Sequence, residues 1–390
     1  MKVLYDFQIF TLQKYGGVSR YFHELMQHYR RTGEIQFELG IRHTGNQYLL
    51  DGASRGQLPS PPPTKTIDDF LGGKKFRGKG RPFRLYGEFA KGVDAYDEDK
   101  RYSAELLTGG DYDVFHPTHY RPYFLDLIGD RPLVVTVHDM NHEIFPEHFP
   151  LDNETSGWKR RAITRADQVI AVSSNTKTDI TRFLDVDPDK ITVIPHASNL
   201  NTTEFGSHAL LLPERFIAYV GNGTQYKNFY FLVEALRHTA DPDLNVVCFG
   251  SYPFRDEERA FFASHDVSHR LHHVELDDNR LAEGYKRPVA FVYPSLYGGF
   301  GIPILEAFNC GCPVICSNAS SFPEVAGDAA LYFEPKDIAG LVSAIDRLSA
   351  DEGLRANLVE KGRRAAVGYS YERTGDGTRA VYERALAERR

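Results

Sequence analysis

Cysteine is scarce in this chain, with four in 390 residues. That is too few for a secreted disulfide framework, and three of the four (Cys310, Cys312 and Cys316) fall in one apolar segment, where cysteine serves as a small hydrophobe. No run of about 18 apolar residues exists, which excludes an evident membrane-spanning helix. Asp6 interrupts the N-terminus before a signal-like apolar core develops, so the expected setting is the cytoplasm. Positive charge is not in excess either. The 46 Lys and Arg stand against 53 Asp and Glu, a net charge of −7, so the surface as a whole is not built to hold nucleic acid. What is present is ordinary for a soluble protein, with 42% hydrophobic and 25% charged residues. At roughly 150 residues per domain the length suggests two or three domains, two being the default. At this size about 75% of the unfolded surface is buried without help from a metal or disulfide.

Short apolar runs alternate with longer segments of helical period, which is the pattern of α/β units with parallel strands. In the first half the expected strands are Val3 to Tyr5, Phe37 to Ile41, Val114 to Phe115, Leu133 to Val137, Gln168 to Val172 and Ile191 to Ile194. A second series comprises Phe216 to Val220, Asn245 to Phe249, Leu271 to Val274, Ala290 to Tyr293, Pro313 to Cys316 and Leu331 to Phe333. Between them, Pro195 to Pro213 has the composition of a linker and places a domain boundary near residue 205. The expected division is 1–205, 206–370, and a surface helix over 371–390. Residues 45–110, rich in Gly, Pro and charge, read as an irregular insertion.

Three strand-to-helix junctions could carry chemistry. Gly16 and Gly17 precede a helix in the first half, and Gly221-Asn222-Gly223 leads through Lys227 to a helix in the second. Glycines at such a junction admit a ligand to the backbone, and the free amides of a helix N-terminus favour an anion; a tight turn is the plainer reading. Lys227 adds a positive charge suited to phosphate, although the spacing is neither a Walker loop nor a dinucleotide fingerprint, since Tyr226 stands at the third glycine position. A nicotinamide enzyme is disfavoured. The third junction is Tyr293-Pro-Ser-Leu-Tyr-Gly298-Gly299-Phe300-Gly301-Ile302-Pro303-Ile-Leu-Glu306-Ala, followed by Gly311-Cys-Pro-Val-Ile-Cys316-Ser. Pro303 suits a first helical turn, and Glu306 one turn on could hold two vicinal hydroxyls or merely complement the helix dipole.

This last stretch, with Pro323-Glu324-Val325-Ala326-Gly327 after it, resembles the signature of the family 4 retaining glycosyltransferases. The resemblance extends over most of the chain through Gly16-Gly17-Val18-Ser19-Arg20-Tyr21, Thr136-Val137-His138-Asp139-Met140, Val172-Ser173 and Tyr226-Lys227-Asn228. It implies a GT-B fold: two Rossmann-like domains facing across a cleft, with the C-terminal helix crossing back to the first. It also implies a nucleotide-sugar donor, an acceptor bound by the N-terminal domain, and no metal or other cofactor. By motif position Lys227 would meet the diphosphate, Glu306 the ribose and His138 the donor sugar. Gly17, Gly221, Asn222, Gly299, Phe300, Gly301 and Ile302 would line the donor site, and Gly16, Arg20, His116 and Asp139 the acceptor side. The Gly-Gly-Val-Ser-Arg-Tyr and Tyr-Lys-Asn variants resemble bacterial mannosyltransferases of surface-polysaccharide synthesis, which implies GDP-mannose and a glycan or lipid-linked acceptor.

Two positions depart from the family pattern. The first glutamate of its Glu-x7-Glu motif is replaced by Gly298, and a loop arginine before the lysine by Gly223. One lost donor to developing charge costs roughly 2.7–4 kcal/mol, so either another residue substitutes, with Lys286, Arg287 and Gln225 nearest in sequence, or the chain is an impaired transferase that binds a glycan or a partner enzyme. Elsewhere, Lys74 to Arg84 holds six basic residues and no acid, which reads either as a solvated loop or as a peripheral contact with anionic membrane. His142, Glu143 and His148 lack the His-Glu-x-x-His spacing of a zinc helix.

Overall fold

The computed structural model describes residues 1–51, 95–200, 211–221, 225–250, 252–275 and 278–389. The expected boundary at residue 205, the basic stretch Lys74–Arg84, Asn222 and Gly223 lie outside the described residues. The chain divides into two units. Unit 1 comprises Met1–Val135, Arg161–Asp167 and Tyr382–Arg390, and unit 2 comprises Thr136–Arg160 and Gln168–Val381.

Unit 1 is built on the parallel sheet β2-β1-β3, formed by β1 (Lys2–Asp6), β2 (Gln36–Gly40) and β3 (Val114–His116). Its helices are α1 (Gln8–Leu12), α2 (Gly17–Thr32), α3 (Gln47–Asp51) and α4 (Ala95–Gly109). α2 buries Tyr21, Phe22, Leu25, Met26 and Tyr29, the helical stripe visible in the sequence. Gly33 stops it in the left-handed conformation (φ 70°) and donates its N–H to the Tyr29 carbonyl, as a glycine just past a helix end does. α3 and α4 correct the expectation of irregular chain at both ends of 45–110. α4 buries only Asp99, Ser103 and Leu107, so its apolar stripe was too sparse to announce a helix.

β4 (Val134–Val137) carries the chain from unit 1 into unit 2 and lies in the sheet β4-β5-β6 with β5 (Gln168–Ala171) and β6 (Ile191–Val193). Between them run α5 (Asn141–Ile144), α6 (Thr155–Arg165) and α7 (Ser174–Phe183). The larger sheet of unit 2 is six-stranded, ordered β12-β11-β10-β7-β8-β9, and its paired strands are parallel. Its strands are β7 (Phe216–Val220), β8 (Asn245–Phe249), β9 (Leu271–Val274), β10 (Phe291–Tyr293), β11 (Val314–Ser317) and β12 (Ala330–Phe333). The connecting helices are α8 (Phe229–Leu236), α9 (Asp256–Ser264), α10 (Asp278–Gly284), α11 (Ile302–Asn309), α12 (Phe322–Ala326), α13 (Ile338–Ala350), α14 (Glu352–Ala366) and α15 (Tyr371–Ala387).

Alternation along β7 explains the layering. Phe216 and Ala218 face a core shared with α10, α11 and α12, while Ile217 and Tyr219 face another shared with α8 and α13. Helices thus cover both faces, which is why these strands read as continuous apolar runs. Every strand expected from the sequence is present to within a residue or two at each end. α15 starts in unit 2 and its residues from Tyr382 on belong to unit 1.

Candidate functional site

In the six-stranded sheet the chain runs from β7 to β8 on one side and from β10 to β11 on the other. The order reverses between β7 and β10, and ligands of open α/β sheets bind beyond the carboxyl ends of strands at such a switch point. The two loops that leave this point carry Lys227 and Gly299–Ile302, and the Leu296 N–H donates to the Tyr226 carbonyl at 2.8 Å to tie them together.

Gly221 ends β7 with φ 134°, a conformation open to glycine. The Lys227 ammonium lies over it, because a Cβ added at Gly221 would sit 3.0 Å from Nζ. Burial lowers the Lys227 pKa from its usual value, with the Cys248 thiol opposing weakly. No hydrogen bond or ion pair engages this ammonium among the described residues. A desolvated cation without a counter-charge is costly, and an anion beside it would relieve the cost.

The second loop is held by hydroxyls. Ser320 and Ser321 donate to the Gly298 carbonyl at 2.7 and 2.8 Å, and Ser321 also reaches the Phe300 carbonyl at 2.9 Å. Ser173 and Thr176, from the first turn of α7, donate to the Gly299 carbonyl at 2.6 and 3.0 Å. Tyr297 donates to Asp179 at 2.8 Å and accepts the Met140 N–H at 3.2 Å. Gly299 must be glycine, since a Cβ there would lie 1.7 Å from the His138 carbonyl oxygen. Gly301 (φ 96°) caps α11, with Pro303 in its first turn. Glu306 follows on the buried face of that helix, 4% exposed, with the Tyr285 hydroxyl 3.4 Å from its carboxylate.

The structure therefore brings His138, Gly299, Phe300 and Gly301 together. His138 Nδ1 shares a hydrogen bond with His196 Nε2 at 3.2 Å, and the His196 ring meets Phe300 edge-on at 5.5 Å between centroids. Burial, and secondly the neighbouring His138, hold the His196 imidazole well below the usual histidine pKa and so neutral. Beside it, Asp139 accepts the Asn141 N–H at 3.1 Å, and the buried Lys159–Glu143 ion pair (2.9 Å) anchors this segment through the Asp139 carbonyl. His196 was hidden in a stretch whose composition reads as linker. Ser320 and Ser321 carry no local pattern that marks them as loop clamps.

In unit 1, Gly16 and Gly17 begin α2, and the Gln13 side chain covers that end: its Oε1 accepts the Ser19 N–H at 3.1 Å. Arg20 donates to the Tyr48 hydroxyl at 3.3 Å. His116 is fully buried, with Nδ1 2.7 Å from the Tyr382 hydroxyl, and that hydroxyl also meets Tyr5 at 2.9 Å. This places His116 in the core instead of on an accessible face. Of the residues considered as substitutes for the missing charges, Lys286 is paired with Glu283.

Parallel α/β units with glycine loops at a switch point, one of them topped by a lysine unpaired among the described residues, are elements of the GT-B fold. The chain belongs to the family 4 glycosyltransferases: residues 15–201 match the family described as Glycosyltransferase Family 4, and residues 201–365 that described as Glycosyl transferases group 1. It is 28% identical over 311 residues to O-antigen chain mannosyltransferase B of Escherichia coli, covering 75% of this chain and 80% of that one. It is 29% identical over 318 residues to the MMP alpha-(1->4)-mannosyltransferase of Mycolicibacterium hassiacum, covering 75% and 76%. Among solved structures, sucrose-phosphate synthase from Thermosynechococcus elongatus superposes with a TM-score of 0.70 at 18% identity, over 99% of both chains. Anabaena HepE in complex with UDP and glucose superposes with a TM-score of 0.68 at 16% identity, over 97% of this chain and 98% of that one.

Proposed function

We propose that this glycosyltransferase is a retaining, metal-independent hexosyltransferase that moves mannose from GDP-mannose to a growing glycan or lipid-linked oligosaccharide of a bacterial surface polysaccharide. The observation that carries the reading is the Lys227 ammonium over Gly221, desolvated and without a counter-charge among the described residues. It supplies the positive charge that a departing diphosphate needs, in place of a cation. Glu306 accepts the ribose hydroxyls, and His138, held by His196, faces the donor sugar. The acceptor hydroxyl attacks from the side the diphosphate leaves, and that diphosphate takes its proton. The names of the two relatives support mannose and, for the first, O-antigen.

A thermal-shift panel of GDP, UDP, GDP-mannose and UDP-glucose, with and without magnesium, tests this reading. At 100 times its Kd a ligand stabilises by about 2.7 kcal/mol, a shift of a few degrees at this size. A shift with GDP and GDP-mannose, unchanged by magnesium and lost in Lys227→Gln, is expected. No shift with any nucleotide overturns it.

A second reading, an impaired transferase that binds without turning over, is favoured by one observation. A Cβ at Gly298, where the family's first glutamate falls, would meet the Phe322 ring at 3.0 Å, so this position is packed with an aromatic edge.

A further inference from the structure

Beside Gly221, on the α8 side of the sheet, unit 2 holds a cavity of about 720 Å³ that none of the residues assigned above explains, apart from Gly221 itself. Its volume falls within the roughly 300–1,000 Å³ range of small-molecule sites. Its walls are aromatic: Phe149, Tyr226, Phe229, Tyr230, Tyr252 and Phe254 line it.

Most of these rings are backed by another ring. Phe254 stacks on Phe229 (centroids 5.9 Å, planes 18° apart) and meets Phe262 edge-on at 4.9 Å. Tyr230 packs edge-on against Phe261 at 4.7 Å, and Phe149 stacks on His142 at 3.9 Å. Tyr226 lies parallel to Phe145 at 6.3 Å. Among the described residues, Tyr252, at 72% exposure, is the lining ring without such backing. Rings fixed by their neighbours lose little freedom when a ligand settles on them.

The polar groups are His148, Arg255, Glu257 and Glu258, with the tyrosine hydroxyls and the Cys248 thiol. Glu258 is buried, and its carboxylate already accepts the Arg255 N–H at 2.7 Å and faces its guanidinium at 3.4 Å. With the Lys227 ammonium over Gly221 already given to the donor diphosphate, two carboxylates beside one engaged arginine suit a further anion poorly. A lipid chain would have no use for them. A neutral polyhydroxylated ring uses both features: its hydroxyls donate to carboxylates, and its C–H faces lie on aromatic planes.

We infer that this cavity is a glycan subsite that holds a sugar unit of the acceptor chain beside the donor loop of Gly221. This rests on the glycan-acceptor reading above. It adds the side of unit 2 on which the acceptor lies and the residues that select it.

The test is saturation-transfer NMR on the full chain with free α-linked mannotriose, and with maltotriose as a second stereochemistry. It is repeated under saturating GDP and in the exposed variants Tyr252→Ala and Glu257→Gln. Expected are ring-proton signals for at least one trisaccharide that survive GDP, and a fall of at least fivefold in affinity in each variant. Donor hydrolysis should stay within twofold of the parent. Abolition of the sugar signals by GDP would make the cavity part of the nucleotide site and overturn the inference. Unaltered signals in both variants, or no signal from either sugar while GDP still shifts the melting temperature, overturn it and leave the donor reading standing. Loss of GDP binding itself in the parent strikes the donor reading instead.

Discussion

Gly298 is where a single residue decides between the two readings of activity. Glutamate there would bring a Cβ to 3.0 Å from Cε1 and 3.2 Å from Cζ of Phe322, while the backbone φ lies outside the left-handed region. The side chain is therefore admissible once the ring gives by a few tenths of an ångström. Such crowding in a packed setting costs on the order of 1 kcal/mol. If the chain has evolved a donor site that works without this carboxylate, Gly298→Glu loses a few degrees of melting temperature and gains no turnover. If it is an impaired transferase, the new carboxylate meets sugar hydroxyls now unpaired, and the rate rises by at least tenfold. The first outcome is expected, and initial rates of nucleotide release from GDP-mannose in parent and variant read it directly.

The element that holds the donor loop is the first turn of α7. Ser173 caps it by accepting the Thr176 N–H at 3.0 Å, and both hydroxyls converge on the Gly299 carbonyl. Glu324 adds a carboxylate 3.0 Å from the Ser174 N–H, as the positive end of a helix favours. Because the buried carbonyl has two partners, losing one leaves it satisfied at about 1 kcal/mol, and losing both leaves it orphaned at about 1–3 kcal/mol more. Ser173→Ala combined with Thr176→Val should therefore destabilise by more than the sum of the single changes, with a coupling of about 1 kcal/mol or more in a denaturation double-mutant cycle. Additivity would show that the carbonyl finds another partner. The strands on which this element hangs were legible because β4 and β5 are buried runs bounded by turn residues and β6 is a short β-branched one. The glycine junctions were legible because Gly221, Gly299 and Gly301 have backbone roles that other residues fill poorly. The order β12-β11-β10-β7-β8-β9 and the partnership of His138 with His196 were not. They arise from contacts between residues far apart in the chain, which leave no local period. The aromatic cavity was missed for the same reason: Phe149 and Tyr252 belong to separate loops whose rings converge only on folding.

Across the whole molecule the net charge of −7 is modest, and all four cysteines are buried and free. The response to acid is therefore set by buried titratable groups more than by repulsion or reduction. His116 is the clearest case. Burial pushes its imidazole down to about 3, whereas the unfolded chain binds the proton near the ordinary histidine value of about 6.5. A depressed pKa contributes stability that is complete above about 6.5 and is lost as pH falls through that value toward about 3, because the unfolded state takes up a proton that the folded one refuses. At pH 5 the loss is about 2 kcal/mol from this residue alone. The buried Asp6 works in the opposite sense, since burial raises its pKa and the folded state gains its proton first as pH falls. The parent curve thus mixes the two, and the difference between parent and His116→Gln separates them. The glutamine keeps a polar atom for the Tyr382 hydroxyl but does not titrate. Its melting temperature should start below that of the parent at pH 8, and the gap should narrow by several degrees by pH 5. Parallel curves over that range would mean that His116 takes up its proton at the same pH in the folded chain as in the unfolded one, so that burial does not hold the imidazole neutral; a gap that widened instead would mean that the folded chain already carries the proton.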